Sequence, residues 1–372
     1  MLHLLPGDLT TRRVAGQAPF MEPSPTMDAG TLSARFLVGL ERSLAPLDLL
    51  RRALYRALVP WIGAKMHARS VRVGFHGSLV VASSLVAAVL APLWLLALGP
   101  LVLGVPHLVA DLRYLVVRPG LHLRRGAWVP GVLVLLSSVA VDLRWGLVGV
   151  ALVPLFARGP VGRRLGIAVL AIGLALLSIR AHDPTLVVLA HAHNLVAVGL
   201  WLLLGTTLGE AGLSNGRRLP LIGFGLGFGA IVCGWLDPWI DLGPSVPGGP
   251  SLRTHVRTLA PGLDPVWATR WVVAFAYAQS VHYGLWLRVI PEEARDRPSS
   301  RSWKASLRAL RADLGDRSMA LAVLLGLGLA VWGLFDLSGA RDGYLRLALF
   351  HGPLELAVLA WTASEGRAVL RP

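Results

Sequence analysis

Long apolar runs separated by short polar or basic stretches make up most of the chain from Phe75 onward. About 20 consecutive apolar residues form a helix long enough to cross a bilayer. Hydropathy therefore predicts an all-α, polytopic membrane bundle of about ten transmembrane helices within residues 74–372. A tight turn is expected at Gly99-Pro100, between the first two spans. The predicted spans are residues 75–98, 99–117, 127–141, 146–157, 164–179, 185–208, 219–236, 265–290, 319–336 and 344–364.

Residues 1–73 form a separate region that is polar and strongly basic. This region lacks the charged, apolar and cleavage segments of a signal peptide. Residues 44–66 mix leucine, Trp61 and arginine in a pattern typical of an amphipathic helix on an anionic membrane surface. For residues 1–35, a loosely ordered cytoplasmic tail is an equally good interpretation.

Composition supports a membrane protein. Of the 372 residues, 54% are hydrophobic and only 15% charged, whereas soluble domains carry about 25% charged residues. The net charge of +15 is explained by basic residues that concentrate in cytoplasmic loops. Because no basic patch interleaved with aromatic residues is present, nucleic-acid binding is not expected.

The distribution of basic residues also predicts the orientation. Placing the basic N-terminus in the cytoplasm puts the other arginine-rich loops there as well. The alternation of basic and other loops favours an even number of spans, so both termini are expected to be cytoplasmic, in a bacterial inner membrane. Arg113 is an exception within the second span, where it is expected to snorkel or to pair with an acid.

Cys233 is the single cysteine. A single cysteine is too few for an internal disulfide, a Cys-rich zinc site or a Cys-ligated iron–sulfur cluster. The C-x-x-C-H motif for covalent haem is also absent from the sequence. H-E-x-x-H, H-x-x-H-H, G-x-S-x-G and the phosphate-binding P-loop are also absent from the sequence. Zincins, membrane desaturases, serine hydrolases and P-loop nucleotide-binding proteins are therefore not indicated.

Four histidine-bearing stretches lie inside predicted spans. Ionisable groups at membrane depth are costly, and they usually face the bundle interior at a functional site. Helices distant in sequence can converge to build one metal centre. A proton or ion path and interhelical hydrogen bonding are the alternatives. The expected metal ligands are His107, His191, His193, His282 and His351.

Two of these histidines are followed four residues later by a carboxylate, His107 by Asp111 and His351 by Glu355. That spacing places both side chains on one helical face. Imidazole and carboxylate together are the ligand set of non-haem iron, so Fe(II) is the expected metal. Asp111 and Glu355, with Tyr283, are the expected catalytic residues, orienting the ligands or completing their shell.

The evidence for metal binding differs among the other histidines. His191 and His193 are two residues apart, about 200° around a helix. One of them is therefore expected to bind the metal and the other to pack nearby. His76, at the cytoplasmic end of the first span, is a less favoured ligand. The histidines expected in solvated tails or loops are His3, His67, His122, His182 and His255.

The longest outer loop, residues 237–266, is rich in proline and glycine and is flanked by Trp235, Trp239 and Trp267. Tryptophans at this position are typical of the interfacial belt of a membrane protein. A lid over a substrate entrance is the alternative interpretation.

The stretch L-G-V-P-H-L-V-A-D-L, residues 103–112, resembles the P-H-G-x-x-D motif of the bacterial Brp/Blh family of membrane β-carotene dioxygenases. The resemblance implies a helical bundle, a histidine-held iron and oxidative cleavage of a carotenoid to retinal. Pro106, His107 and Asp111 match the motif. Leu108 replaces its glycine, and His191-Ala192-His193 stands in place of the family's later H-x-x-x-H.

The leading hypothesis is a membrane oxidoreductase whose non-haem iron acts with oxygen on an apolar, lipid-soluble substrate drawn from the bilayer. One alternative is a proton- or ion-coupled transporter that uses the intramembrane histidines. Another is a haem-binding electron carrier. The sequence leaves the precise substrate, the number of metal ions and the oligomeric state open.

Overall fold

The computed structural model describes residues 31–58, 65–207, 215–243, 246–295, 299 and 301–370. Across these residues every regular element is helical, and no strand is present. This confirms the all-α fold class. The α-helices are α1 (Leu32–Ser43), α2 (Ala45–Leu58), α3 (Arg69–Leu90), α4 (Pro92–Asp111), α5 (Arg125–Val139), α6 (Leu143–Phe156), α7 (Val161–Arg180), α8 (His182–Thr207), α9 (Asn215–Val232), α10 (Leu252–Leu259), α11 (Pro265–Gly284), α12 (Ile290–Glu293), α13 (Trp303–Leu314), α14 (Asp316–Phe335), α15 (Leu337–Leu347) and α16 (His351–Glu365).

Two helices continue into wider π-helical turns. Leu112–Val117 extends α4, and Leu285–Val289 extends α11 into α12. Shorter 3₁₀ turns connect other elements. They are Lys65–His67, Leu121–Leu123, Asp237–Trp239, Ala348–Phe350 and Arg367–Leu370.

Among the described residues, six helical segments are long and apolar enough to cross a membrane, which indicates an integral membrane protein. On α7 and α14, leucine and valine side chains such as Val169 and Leu321 point outward, about 70% exposed. In a bilayer these faces would contact lipid. The six segments are Arg69–Leu90, Pro92–Val117, Val161–Arg180, His182–Leu204, Asp316–Phe335 and Leu337–Glu365.

The structure does not support the prediction of about ten spans. The expected spans 127–141 and 146–157 correspond to α5 and α6, which are apolar but have only 15 and 14 residues. The expected spans 219–236 and 265–290 correspond to α9 and α11. Arginines open α9, and α11 carries several polar residues, so neither helix has the composition of a span.

The predicted turn at Gly99-Pro100 is also wrong. The chain breaks earlier, at Ala91, whose φ of −152° and ψ of 54° are not helical. Pro92 then occupies the first turn of α4, where a missing N–H costs nothing. Gly99 and Pro100 lie inside the helix, and Pro100 is buried.

Helix α11 lies at the centre of the bundle. Val272, Ala274 and Tyr277 on this helix are fully buried, and α3, α4, α8 and α9 pack around it. Helix α16 packs against α6 and α8, while α15 packs against α4. These contacts bring α4, α8, α11 and α16, which are far apart in the sequence, close together in the bundle.

The N-terminal region contributes two described helices. Leu37 of α1 is buried with Leu307 and Met319, while α2 corresponds to the described part of the predicted amphipathic helix. Trp61 and residues 1–30 lie outside the described residues. The Arg113 guanidinium pairs with Asp313 at 2.5 Å, so the arginine inside the second span has an acidic partner.

Candidate metal centre

Four helices each contribute one histidine to a cluster of neighbouring rings. His107 lies one turn before the end of α4, and His193 lies in the middle of α8. His282 is near the end of α11, and His351 opens α16 after a 3₁₀ turn. These histidines come from the four histidine-bearing stretches of the sequence, which are adjacent in the structure.

The His282 and His351 rings each contact the other three imidazoles of this cluster. The His107 ring centroid lies 5.3 Å from that of His282 and 4.8 Å from that of His351. His282 and His351 are separated by 5.2 Å. The His193 ring lies 5.2 Å from His282 and 5.8 Å from His351. Ring nitrogens of His107, His282 and His351 all lie within 4.8 Å of one another.

Backbone carbonyls orient two of these rings. His107 Nδ1 lies 3.3 Å from the Leu103 carbonyl oxygen, and His193 Nδ1 lies 2.8 Å from the Ala190 carbonyl oxygen. A carbonyl only accepts, so in each contact Nδ1 carries the proton and donates. The Nε2 lone pair of both residues is therefore left for a ligand.

The other two histidines approach each other through Nε2. His282 Nε2 and His351 Nε2 lie 3.2 Å apart. Two imidazole nitrogens bound at about 2.1 Å to one ion, at an angle near 100°, are separated by about this distance. The pair is therefore spaced as two ligands of a single cation would be.

Two carboxylates lie beside the rings, fully shielded from solvent. Asp111 Oδ2 is 2.5 Å from His351 Nδ1, and Glu355 Oε1 is 4.0 Å from His351 Nε2. The contact to Asp111 is short enough for an ion pair with a protonated His351. All carboxylate oxygens of Asp111 and Glu355 have no hydrogen-bond partner among the described residues. Asp111, His351 and Glu355 form a second group with ligand atoms within 4.8 Å of one another.

This arrangement fits a bound cation. Buried polar groups are normally hydrogen-bonded, and buried charges are normally paired or coordinate a metal. Among the described residues, the Glu355 carboxylate and Nδ1 of His282 have no hydrogen-bond partner, and Asp111 Oδ2 has only its 2.5 Å contact with His351 Nδ1. The donor atoms are nitrogen and oxygen without sulfur, a set that suits iron, manganese or zinc.

His191 does not belong to this cluster. Its Nε2 lies 2.9 Å from the Leu259 carbonyl oxygen, and its ring packs against Trp271 and Phe275. Of the two neighbouring histidines, His193 is the one whose ring lies beside His282 and His351. The physical reason is the helical rotation between positions 191 and 193, because α8 remains regular there and directs the two rings to different sides.

Two further histidines have distinct surroundings. His76 is buried, and its Nε2 lies 2.9 Å from the Tyr55 hydroxyl and 2.7 Å from Arg288 Nη2. The prediction that His255 is solvated is wrong, because its side chain is 1% exposed within α10. Burial, with a smaller effect of the nearby Arg341 charge, lowers the pKa of His255 to about 4.

A cavity of about 430 Å³ opens beside the cluster. His107, His193 and His351 line one wall, and the remaining lining is mainly leucine and other apolar side chains. Small-molecule sites have this size and an apolar lining with a few polar groups. The polar side chains in the lining are Thr258, Gln279, Tyr283, Arg341, Asp342 and Tyr344.

The loop of residues 237–266 covers part of this cavity. Thr258 and Leu259 of α10 contribute to the lining. Trp235 and Trp239, at the start of the loop, are 69% and 62% exposed. Part of α10 therefore contributes to the cavity wall, while the two tryptophans point outward.

Tyr283 and Tyr344 contact the His107 ring. The Tyr283 ring centroid lies 4.6 Å from that of His107, and its hydroxyl accepts a 3.2 Å hydrogen bond from Gln279 Nε2. The Tyr344 hydroxyl lies 3.5 Å from His107 Nδ1. Sequence reasoning identified Tyr283 and missed Tyr344, whose one signal is its place at the start of the predicted span that contains His351.

Both π-helical segments follow residues of the cluster directly. Leu112–Val117 begins after Asp111, and Leu285–Val289 begins one residue after Gly284, close to His282 and Tyr283. A π turn changes the rotation of the residues that follow it, and such turns are frequent at functional sites. Residue patterns gave no indication of either.

Comparison with protein-family models, curated proteins and solved structures finds no match. The class of protein is therefore defined by the molecule's own features: an all-α membrane protein with buried histidines and carboxylates able to hold a metal ion. The resemblance to the Brp/Blh motif remains a prediction.

Proposed function

We propose that the protein is a membrane-embedded, non-haem iron oxygenase that acts on a lipid-soluble, carotenoid-like polyene. The observation that carries this proposal is the close grouping of His107, His282 and His351, with the His193 ring alongside, next to two buried carboxylates whose oxygens have no hydrogen-bond partner among the described residues. Such a donor set, with nitrogen and oxygen atoms only, suits Fe(II). The proposed setting is a bacterial inner membrane, with both termini in the cytoplasm.

The proposed ligands are the Nε2 atoms of His107, His193, His282 and His351. Asp111 would orient His351 through Nδ1, as carboxylates do for metal-bound histidines, and Glu355 would orient the same ring or complete the shell. When bound, Fe(II) would supply the activation of dioxygen. The protein contributes fixed ring orientations and an apolar surrounding that restricts water.

The adjacent cavity supports an elongated apolar substrate. Leu143, Leu147 and Leu186 supply apolar surface, while Arg341 and Asp342 lie in the same lining. A polyene chain would occupy the leucine-lined part, with its end group at the polar residues. Gln279 holds the Tyr283 hydroxyl, so Tyr283 would position the substrate against the His107 ring.

The proposed reaction is cleavage of one carbon–carbon double bond by dioxygen. Both bonds of the C=C unit and both bonds of O₂ are broken, and two C=O bonds form, one in each aldehyde product. The two carbons are oxidised and the two oxygen atoms are reduced. No further reductant or proton source is required.

Ring crowding favours this function over haem-based electron transfer. A haem held by two histidines needs a flat slot for its macrocycle between the two rings. Here the nitrogens of His282 and His351 are 3.2 Å apart, with two more imidazoles alongside. A single ion is the better occupant of that space.

The test uses the full chain in lipid nanodiscs, loaded anaerobically with Fe(II) and given a carotenoid under ¹⁸O₂. We expect ¹⁸O in both aldehyde products, measured by mass spectrometry after rapid trapping. His282→Gln should reduce turnover by at least about 100-fold, as the loss of a metal-site interaction does. His191→Gln is the matched control, since that ring lies outside the cluster, and should retain activity within a few fold.

Absence of product from several polyenes in an iron-loaded protein would contradict the oxygenase proposal. Equal loss of activity in the two histidine variants would contradict the assignment of the site. Proton-coupled flux in liposomes without tightly bound metal would instead favour a transporter.

A further inference from the structure

A short 3₁₀ turn, Ala348–Phe350, separates α15 from α16. His351, the first residue of α16, follows this turn directly. Pro353 explains part of the interruption, because proline has no N–H and its ring clashes with the carbonyl four residues earlier. The regular hydrogen bond from position 353 to the Leu349 carbonyl therefore cannot form. The direction in which the His351 ring points depends on the conformation of this turn.

A hydroxyl from another helix is inserted into the turn. Ser138, near the end of α5, donates a 2.8 Å hydrogen bond from Oγ to the Leu347 carbonyl. The same Oγ accepts a 2.9 Å hydrogen bond from the Phe350 N–H. Insertion of a side chain into the hydrogen-bond ladder of a helix is an established cause of a helix break. Ser138 thus supplies the partner for two backbone groups immediately before His351.

Ser138 is held in place by its surroundings. The Val141 N–H donates a 3.3 Å hydrogen bond to the Ser138 carbonyl, in the turn that ends α5. Val141 has a φ of 53°, a left-handed conformation that is rare for a β-branched residue. Such conformations persist where the surrounding structure determines them. Nearby, α6 packs closely on the start of α16, since a methyl group at Gly146 would lie 2.5 Å from Pro353 Cγ.

We propose that Ser138 is a positioning residue for His351. The inserted hydroxyl sets the direction in which α16 begins, and this direction sets the place of the His351 ring. That place is narrowly defined, because Nε2 lies 3.2 Å from His282 Nε2 while Nδ1 lies 2.5 Å from Asp111 Oδ2. Functional side chains must be held within about 0.5 Å of their working positions. The inference rests on the proposed metal centre and adds to it a residue from α5, a helix that supplies none of the proposed ligands.

The test titrates full-length, metal-free protein in lipid nanodiscs with Co(II) under anaerobic conditions. Co(II) is the probe because its visible absorption bands depend on the number and arrangement of its ligands. We expect Ser138→Ala to weaken Co(II) binding about 10-fold and to change these bands, as loss of a residue that orients a metal ligand does. Ser138→Thr keeps a hydroxyl and should bind within about three-fold of the parent, with the parent's spectrum. Ser138→Val has the shape of threonine without the hydroxyl and should behave as Ser138→Ala does, so the comparison of threonine with valine stands even if the alanine variant does not fold.

The matched control is Ser137→Ala, which removes the neighbouring hydroxyl of α5. Ser137 is buried, and its Oγ donates a 2.5 Å hydrogen bond to the Val134 carbonyl of the same helix. This variant should keep the parent's Co(II) affinity and spectrum. Unchanged Co(II) binding without the Ser138 hydroxyl, equal losses in the threonine and valine variants, or an equal loss in Ser137→Ala would overturn the role of Ser138 and leave the metal centre standing. A parent protein that binds no Co(II) would contradict the metal centre itself, and this inference with it.

Discussion

At the residue scale, His351 connects the two groups of candidate ligands. Its Nε2 lies 3.2 Å from His282 Nε2, and its Nδ1 lies 2.5 Å from Asp111 Oδ2. One imidazole can therefore bind an ion through Nε2 while a carboxylate fixes its orientation through Nδ1. The H-x-x-x-D spacing places His107 and Asp111 on one face of α4. In the structure, however, Asp111 contacts His351 of α16.

Gly104 is the residue whose small size lets Tyr344 reach His107. A methyl group at position 104 would overlap the Tyr344 ring, whereas one at Gly99, on the same helix, would lie 3.6 Å from Tyr283. Gly104→Ala should therefore destabilise the protein by about 1–3 kcal/mol, as overpacking does. Gly99→Ala should be neutral or stabilising by up to about 1 kcal/mol.

Thermal unfolding of both variants in the same detergent checks this prediction. Metal content should fall in the Gly104 variant, because the displaced Tyr344 ring lies against His107. Equal stability and metal content in the two variants would contradict the role assigned to this close approach.

At the element scale, local patterns predicted the helices and structure was needed to show how they meet. The spacing of His107 and Asp111, and of His351 and Glu355, was visible in the sequence, and each pair does lie on a helix or at its start. Convergence of α4, α8, α11 and α16 depends on packing between segments far apart in the chain, as the contact between the His107 and His351 rings shows. No local pattern carries that information.

Helix α10 covers part of the cavity and contains the buried His255. Burial lowers the pKa of His255 from 6.5 to about 4, so below pH 6.5 the opened segment binds a proton more readily than the closed one. The free energy that favours the closed position of α10 is therefore at its full value above pH 6.5. It decreases as the pH falls toward 4, and the loss is about 2 kcal/mol at pH 5.

Hydrogen exchange of residues 252–259 at pH 7 and pH 5, corrected for the intrinsic rate, measures this effect. Protection should drop at pH 5 in the parent protein and stay nearly constant in His255→Gln. The same drop in both proteins would show that another group controls the opening of α10.

At the scale of the whole molecule, composition alone identified a helical membrane protein. About ten spans were expected, whereas six candidate spans are found among the described residues. Hydropathy does not reveal that a helix such as α6 is short, or that one such as α11 carries polar residues and is buried in the bundle. Buried ion pairs were also missed. Arg72 pairs with Glu292 at 2.7 Å, and Glu293 pairs with Arg217 and accepts a hydrogen bond from Trp201. Each joins residues at least 76 positions apart, beyond any local pattern.

The central claim is that histidines from four helices hold one metal centre inside the membrane bundle. Metal analysis by inductively coupled plasma mass spectrometry, on full-length protein purified gently without chelator, tests it most directly. The prediction is about one iron per chain, reduced at least about 10-fold by His282→Gln or Asp111→Asn and unchanged by His191→Gln. Folded protein that contains far less than one equivalent of iron, manganese, zinc or copper, before and after incubation with these ions, would contradict it.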